Sequence, residues 1–184
     1  MSLVLSIAFA LQGYVPNPGV LITVGPVTDE NSVLVAMAAP QLDADDAWRF
    51  STEPQLGGTA IVVEAKKEAD GSATVQVRRF SGHPRSGWDR QGDWRFAVRA
   101  REYTKLTGQI DRHLPDPPIS EADESIVCTD GPGVLVERAT QGRLLWRRGS
   151  CGDTHPNKQI AKIIKAFVQR HLGRARTKEA FRLL

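Results

Sequence analysis

The sequence lacks most of the features by which enzymes and membrane proteins are recognised. Its 184 residues include only two cysteines, and no apolar run approaches the roughly 20 residues that a membrane-spanning helix needs. It contains no G-x-S-x-G nucleophile elbow, no Walker phosphate-binding loop and no G-x-G-x-x-G dinucleotide motif. The sequence therefore predicts no transmembrane helix and no cofactor.

The composition is that of an ordinary globular protein. Hydrophobic residues make up 41% of the chain and charged residues 24%, which is too apolar for a disordered protein. A chain of this length is long enough to form one domain with a hydrophobic core, but it is short for two domains. We therefore expect residues 1–184 to form a single domain.

The apolar pattern predicts an α+β domain, an antiparallel sheet packed by two amphipathic helices, with one disulfide. Apolar residues three and four apart mark helices near 100–114 and 156–173, and a short helix is expected around Asp43–Phe50. Alternation of apolar and polar residues, or short apolar runs, mark the strands. The expected strands are Val4–Leu11, Val20–Val24, Ser32–Met37, Thr59–Ala65, Ala73–Phe80, Trp94–Val98, Ser125–Cys128, Gly133–Arg138 and Arg143–Arg148.

Both ends of the chain have a distinct composition. Residues 1–11 are apolar and include Ala8-Phe-Ala10, which resembles a signal-peptidase site, but no basic region precedes it. Three interpretations stay open: a signal remnant, a native first strand, or a strand after a Met-Ser-Leu remnant of cloning. Residues 174–184 are expected to form a basic C-terminal tail.

Cys128 and Cys151 are the only cysteines. If the last three predicted strands form a meander, the chain reverses twice between the two cysteines and brings both to one end of the sheet. That placement predicts a disulfide, and a disulfide predicts a periplasmic or secreted bacterial protein. The alternative is two reduced core thiols in a cytoplasmic protein.

The segment Cys151-Gly-Asp-Thr-His155 is the strongest candidate for catalysis. It resembles a nucleophile, base and orienting acid, but neighbouring side chains in sequence rarely form a triad and Cys151 is expected in the disulfide. The structural interpretation, without catalysis, is that Asp153, Thr154 or His155 caps the helix that begins near Pro156. A hydrolase-like site near Asp130, Asp153 and His155 stays an alternative. Zinc is disfavoured because no C-x2-C spacing occurs, so we predict no metal.

The charge is unevenly distributed. Residues 151–184 carry eight basic and two acidic side chains, whereas the whole chain has a net charge of only +3. The candidate anion-binding set is Arg147, Arg148, Lys158, Lys162 and Lys165. Basic and aromatic residues also interleave in Trp88–Phe96, as in proteins that stack on bases. Binding of nucleic acid or an anionic surface is nevertheless a less favoured interpretation than a solvated helix face, because no named nucleic-acid motif is present.

Together these observations predict an exported, non-enzymatic domain with a binding or structural role. The expected partner is a protein of the cell envelope. The polar segments 39–58 and 81–93 are the expected contact surfaces, because long ordered loops are usually functional.

Overall fold

The structure, a computed structural model, describes residues 34, 42, 46–54, 57–83, 85–114, 133–149 and 155–181. These ranges form an α+β arrangement of one antiparallel sheet and two helices. The strands are β1 Asp46–Glu53, β2 Gly58–Lys67, β3 Ala73–His83, β4 Gly87–Val98, β5 Gly133–Thr140 and β6 Arg143–Arg148, and the helices are α1 Ala100–Asp111 and α2 Pro156–Ala180. The order across the sheet is β4-β3-β2-β1-β5-β6.

The β2–β3 hairpin confirms the two strands predicted at Thr59–Ala65 and Ala73–Phe80, which pair antiparallel. Its turn is closed by Asp70, whose carboxylate accepts a hydrogen bond from the Ser72 backbone N–H at 2.9 Å. Gly71 adopts a φ of 83° there, which a residue with a Cβ rarely does.

Alternate residues of each strand point to opposite faces of the sheet. The helix-covered face carries the main core, in which Trp48, Phe50 and Val136 are fully buried with residues of both helices. The opposite face, called here the far face, carries a smaller cluster that contains Val62 and Leu135. The sheet therefore buries side chains on both of its faces.

The two helices form one layer, but they do not share the sheet equally. The long helix α2 contacts β3, β4 and β5, whereas α1 contacts chiefly α2. The prediction that both helices pack on the sheet is wrong in this respect, because α1 begins directly after the edge strand β4 and lies beside α2. Neither described helix is long and apolar enough to cross a membrane.

Gly173 interrupts α2 with φ 79° and ψ 165°. This conformation belongs essentially to glycine, and the sequence predicted that the helix would end there. Instead the chain continues in a further helical segment, in which Thr177, Ala180 and Phe181 are buried. Part of the predicted basic tail therefore packs against the core.

The helix predicted around Asp43–Phe50 is wrong, because residues 46–53 form the central strand β1. Trp48 and Phe50 point to the helix-covered core, whereas Arg49 is buried on the far face. Because this strand is buried on both faces and carries a charged residue at its centre, its sequence does not show the alternation of apolar and polar residues that predicts a strand. The expected loops 39–58 and 81–93 are likewise wrong where described, since they contain β1 and much of the β3–β4 hairpin.

The predicted meander is also wrong. A strand has two edges, and those of β5 are taken by β1 and β6, so a strand at 125–128 cannot pair with it. The in-order strand pairing from which the bridge between Cys128 and Cys151 was predicted is therefore not formed. No disulfide is found in the part of the chain that the structure describes, and both cysteines lie outside it.

The three strands predicted before residue 40 also lie outside the described residues, apart from Leu34. Leu34 is helical, which contradicts the strand Ser32–Met37 at that residue. Its side chain packs in the cluster on the far face.

Candidate functional site

The outer side of α2 is strongly basic. Its 25 residues contain seven lysines and arginines and a single acidic residue, Glu179. Five of the seven basic side chains are exposed and form no ion pair with a carboxylate of any described residue. They are Lys162, Arg170, Arg174, Arg176 and Lys178.

The neighbouring helix α1 and its flanks extend this basic surface. Arg99, Arg101, Lys105 and Arg112 are exposed, and none pairs with a described carboxylate. The two acids of α1 are directed elsewhere: Asp111 pairs with Arg138 at 3.0 Å, and Glu102 lies 3.9 Å from the His171 imidazole. The helix layer therefore presents nine exposed basic side chains, and we call these nine the basic layer.

The predicted anion-binding residues are only partly brought together. Lys158, Lys162 and Lys165 lie on one side of α2, because residues four and three apart share a helix face. Lys165 places its ammonium 5.8 Å from the centre of the Phe181 ring. Arg147 and Arg148 point to opposite faces of the sheet, since they are consecutive residues of β6. Arg147 shares the helix-covered face with Leu145 and Arg148 shares the far face with Trp146, so Arg148 does not act with the lysines as one set.

His155 is used to cap α2. Its Nδ1 accepts a hydrogen bond from the backbone N–H of Asn157 at 3.1 Å, and Pro156 follows in the first turn. Asn157 in turn donates to the carbonyls of Val134 and Gly149, at 3.2 and 2.6 Å. These bonds hold the start of the helix against β5, as the capping interpretation predicts. The other two members of the candidate polar site, Asp130 and Asp153, lie outside the described residues.

A charged network crosses the far face of the sheet, and sequence reasoning missed it. Arg49 on β1 donates from Nε to Glu64 Oε1 at 2.7 Å and from Nη1 to Glu137 Oε2 at 3.1 Å. Arg78 on β3 also pairs with Glu64. These four groups, here called the Arg49 network, sum to zero charge. Desolvation by burial lowers the pKa of Arg78 from its ordinary value.

Strand pairing explains how these four residues meet. Glu64 and Glu137 stand directly opposite Arg49 on the two neighbouring strands, a position from which cross-strand side chains interact. Arg49 and Glu137 are each only 3% exposed. Buried charges persist only where they are paired, so the network links three adjacent strands in one register and joins β3 to them through Arg78.

A second network lies on the helix-covered face, around Arg138 of β5. Its guanidinium pairs with Asp46 at 2.7 Å and with Asp111 at 3.0 Å, and Tyr103 donates its hydroxyl to the Asp46 carbonyl at 3.0 Å. Burial raises the pKa of Tyr103 and, against the influence of Arg138, also that of Asp111. This arrangement ties α1 to the ends of β1 and β5 and positions no nucleophile.

The described residues therefore contain two networks of paired charges and one layer whose nine exposed basic side chains have no described carboxylate partner. Among these residues, no three histidine, cysteine or acidic side chains are close enough to hold a metal ion. No protein-family model, characterised protein or solved structure matches the chain. The basic layer is thus the described feature with the clearest chemical preference, which is for an anionic partner.

Proposed function

We propose that this protein is a binding domain whose basic layer engages the phosphate backbone of a nucleic acid. The observation that supports this proposal is the set of nine exposed basic side chains without a described carboxylate partner. Lysine and arginine clusters of one sign attract polyanions over distances comparable to the Debye length. The proposal develops the interpretation that the sequence ranked below an envelope-protein partner.

The extent of the basic layer favours a polymer over a small anion. The part of α2 before Gly173 comprises residues 156–172, and at 1.5 Å per residue it is about 25 Å long. Lys162 and Arg170 lie within it, and Arg174 and Arg176 follow the kink. A small phosphate contacts only one or two such groups, whereas a nucleic-acid strand carries a charge every few ångströms along its length.

The experiment is fluorescence anisotropy with a labelled 20-nucleotide oligonucleotide, repeated over a range of salt concentrations. The affinity should fall linearly with salt on a double-logarithmic plot, because binding releases counterions. The test variant is Lys162→Glu/Arg174→Glu, in which two contacts are lost. We expect weaker binding and a salt slope shallower by roughly 1.5, since each contacted phosphate contributes about 0.7 to 0.9.

A control variant separates local contacts from net charge. Lys66→Glu/Arg85→Glu changes the charge by the same amount at exposed positions of β2 and of the turn before β4. It should retain most of the wild-type affinity and the wild-type slope. Equal losses in the two variants, or binding that does not depend on salt, would contradict the proposal.

The remaining interpretations from the sequence stay predictions. A periplasmic or secreted location rested on the meander and now needs direct evidence, which subcellular fractionation of the native producer supplies. A hydrolase-like activity near Asp130, Asp153 and His155 is tested by comparing wild-type protein with Asp153→Asn on ester and phosphoester substrates. Equal rates in these two proteins would remove that alternative.

A further inference from the structure

Two aromatic residues lie on the helix-covered face of the edge strand β4. Trp94 and Phe96 are only partly buried, although Val77 and Val75, their partners on β3, are fully buried. In the described sheet β4 has one neighbouring strand, β3. The aromatic rings therefore stand at the margin of the core, where one side of the strand has no described strand partner.

Gly92 makes room for the Trp94 ring. A Cβ at position 92 would lie 2.2 Å from Trp94 Cη2 and 2.7 Å from Cζ3, which is closer than such contacts occur. The six-membered ring of the indole thus occupies the space above the strand backbone that a side chain at 92 would fill. The indole packs against the margin of the main core and is only partly buried.

Phe96 connects this strand surface to α2. Its ring stacks on the imidazole of His171 with a centroid separation of 4.8 Å and an interplanar angle of 9°. Phe167 completes the group, at 4.8 Å from His171, and the Arg170 guanidinium carbon lies 5.6 Å from the Phe167 ring centre. We call Trp94, Phe96 and His171 the aromatic edge. It is continuous with the part of the basic layer around Arg170.

Two arginines and two glutamates lie near the aromatic edge. Arg79 stands opposite Gly92 on β3 and donates from Nη1 to the Glu179 carbonyl at 3.3 Å. Arg170 belongs to the basic layer. The acidic groups nearby are Glu102, 3.9 Å from His171, and the exposed carboxylate of Glu179. Planar rings beside arginines are the combination that binds a base and its phosphate together.

We infer that the aromatic edge stacks the bases of single-stranded nucleic acid while the basic layer contacts its phosphates. This inference rests on the proposed function and narrows its ligand from nucleic acid to the single-stranded form. In a duplex the base faces are covered by neighbouring base pairs, whereas in a single strand they are free to stack on a protein ring. The interaction needs a planar ring at position 94, and not merely an apolar side chain that completes the core.

The test uses two single-stranded probes of equal charge: a labelled 20-nucleotide oligothymidine and an abasic strand of the same length. We expect the wild-type protein to bind oligothymidine about tenfold more tightly, because stacking contributes measurably for each base. Trp94→Leu keeps an apolar side chain but removes the ring, and should lose most of the preference for oligothymidine. Trp94→Phe keeps a ring and should retain most of the preference.

Trp88→Leu is the matched control, because Trp88 lies on the same strand but packs with the far-face cluster. It should keep the wild-type preference for oligothymidine. Thermal melts of each variant verify folding, and Trp94→Phe keeps the test valid if Trp94→Leu does not fold. Equal wild-type affinity for the two probes, or an unchanged preference in Trp94→Leu, would overturn the inference and leave the proposed function standing. Failure of the wild-type protein to bind either probe would overturn the inference, and failure to bind a 20-base-pair duplex as well would overturn both.

Discussion

Replacement of Arg49 tests whether the Arg49 network determines the stability of the sheet. Arg49→Met removes the charge and leaves much of the side-chain volume in place. Glu137, which is only 3% exposed, then stays buried without its bond of 3.1 Å to Arg49. Removal of one partner from a buried ion pair costs about 3–5 kcal/mol of unfolding free energy. We expect a loss in that range, which is a large fraction of the stability of a typical domain.

The double variant Arg49→Met/Glu137→Leu shows where this loss comes from. It removes one positive and one negative charge and leaves Glu64 with Arg78. Replacement of a buried pair by apolar residues is often close to neutral, so we expect the double variant to recover most of the stability. Measurement of the single variant Glu137→Leu completes a double-mutant cycle, from which the coupling free energy of the pair is obtained.

The assay is urea denaturation followed by fluorescence, with Lys67→Met as the control. Lys67 pairs with Asp46 at a similar distance of 3.1 Å, but its side chain is 43% exposed. An exposed pair contributes only about 0–1 kcal/mol, so Lys67→Met should shift the midpoint little. If Arg49→Met and Lys67→Met cost the same, or the double variant is less stable than Arg49→Met, the argument from desolvation is refuted.

Two further predictions concern α1 and α2. Gly173→Ala should lower the unfolding free energy by about 1–3 kcal/mol, because the φ of 79° and ψ of 165° are strained for alanine. Gly108→Ala, in helical conformation and with open space around it, should instead add about 0.5–1 kcal/mol; denaturant melts in which the two variants shift in the same direction would contradict one of these two predictions. Asp111→Asn tests the raised pKa of Asp111, whose ordinary value is 3.8. A raised pKa contributes stability that is present below the unfolded value and is lost as the pH rises through the folded value. The stability of Asp111→Asn relative to wild type should therefore increase as the pH rises from about 4, and a constant difference would refute it.

The elements that could be predicted from sequence show either the period of their structure or a short apolar run. In β3, α1 and α2 apolar and polar residues alternate at the period of a strand or helix, whereas β2 and β5, which are largely buried on both faces, contain the short apolar runs that also predict a strand. The β1 strand is also buried on both faces, but it carries Arg49 in its centre, so its pattern resembles a polar segment. The β4 strand was mostly missed for the opposite reason: its edge position leaves many polar residues exposed.

The basic layer and the aromatic edge could also be predicted only in part from the sequence. The basic character of α2 follows directly from residue counts, and the interleaved aromatic and basic residues of Trp88–Phe96 were visible in the sequence. The contact of Phe96 with His171 was not visible, because it joins residues far apart in the chain. Arg147 and Arg148 were grouped by adjacency, although neighbours in a strand point to opposite faces.

The contrast between buried and exposed cations gives the basic layer its significance. Arg49 and Arg138, both buried, have carboxylates within hydrogen-bond distance on neighbouring elements. The nine cations of the basic layer have no such partner among the described residues, and mutual repulsion of like charges opposes their close placement. A phosphate backbone relieves that repulsion at several positions at once. The fold itself needs the compensated arginines, whereas we propose that the uncompensated ones are further stabilised by an external polyanion.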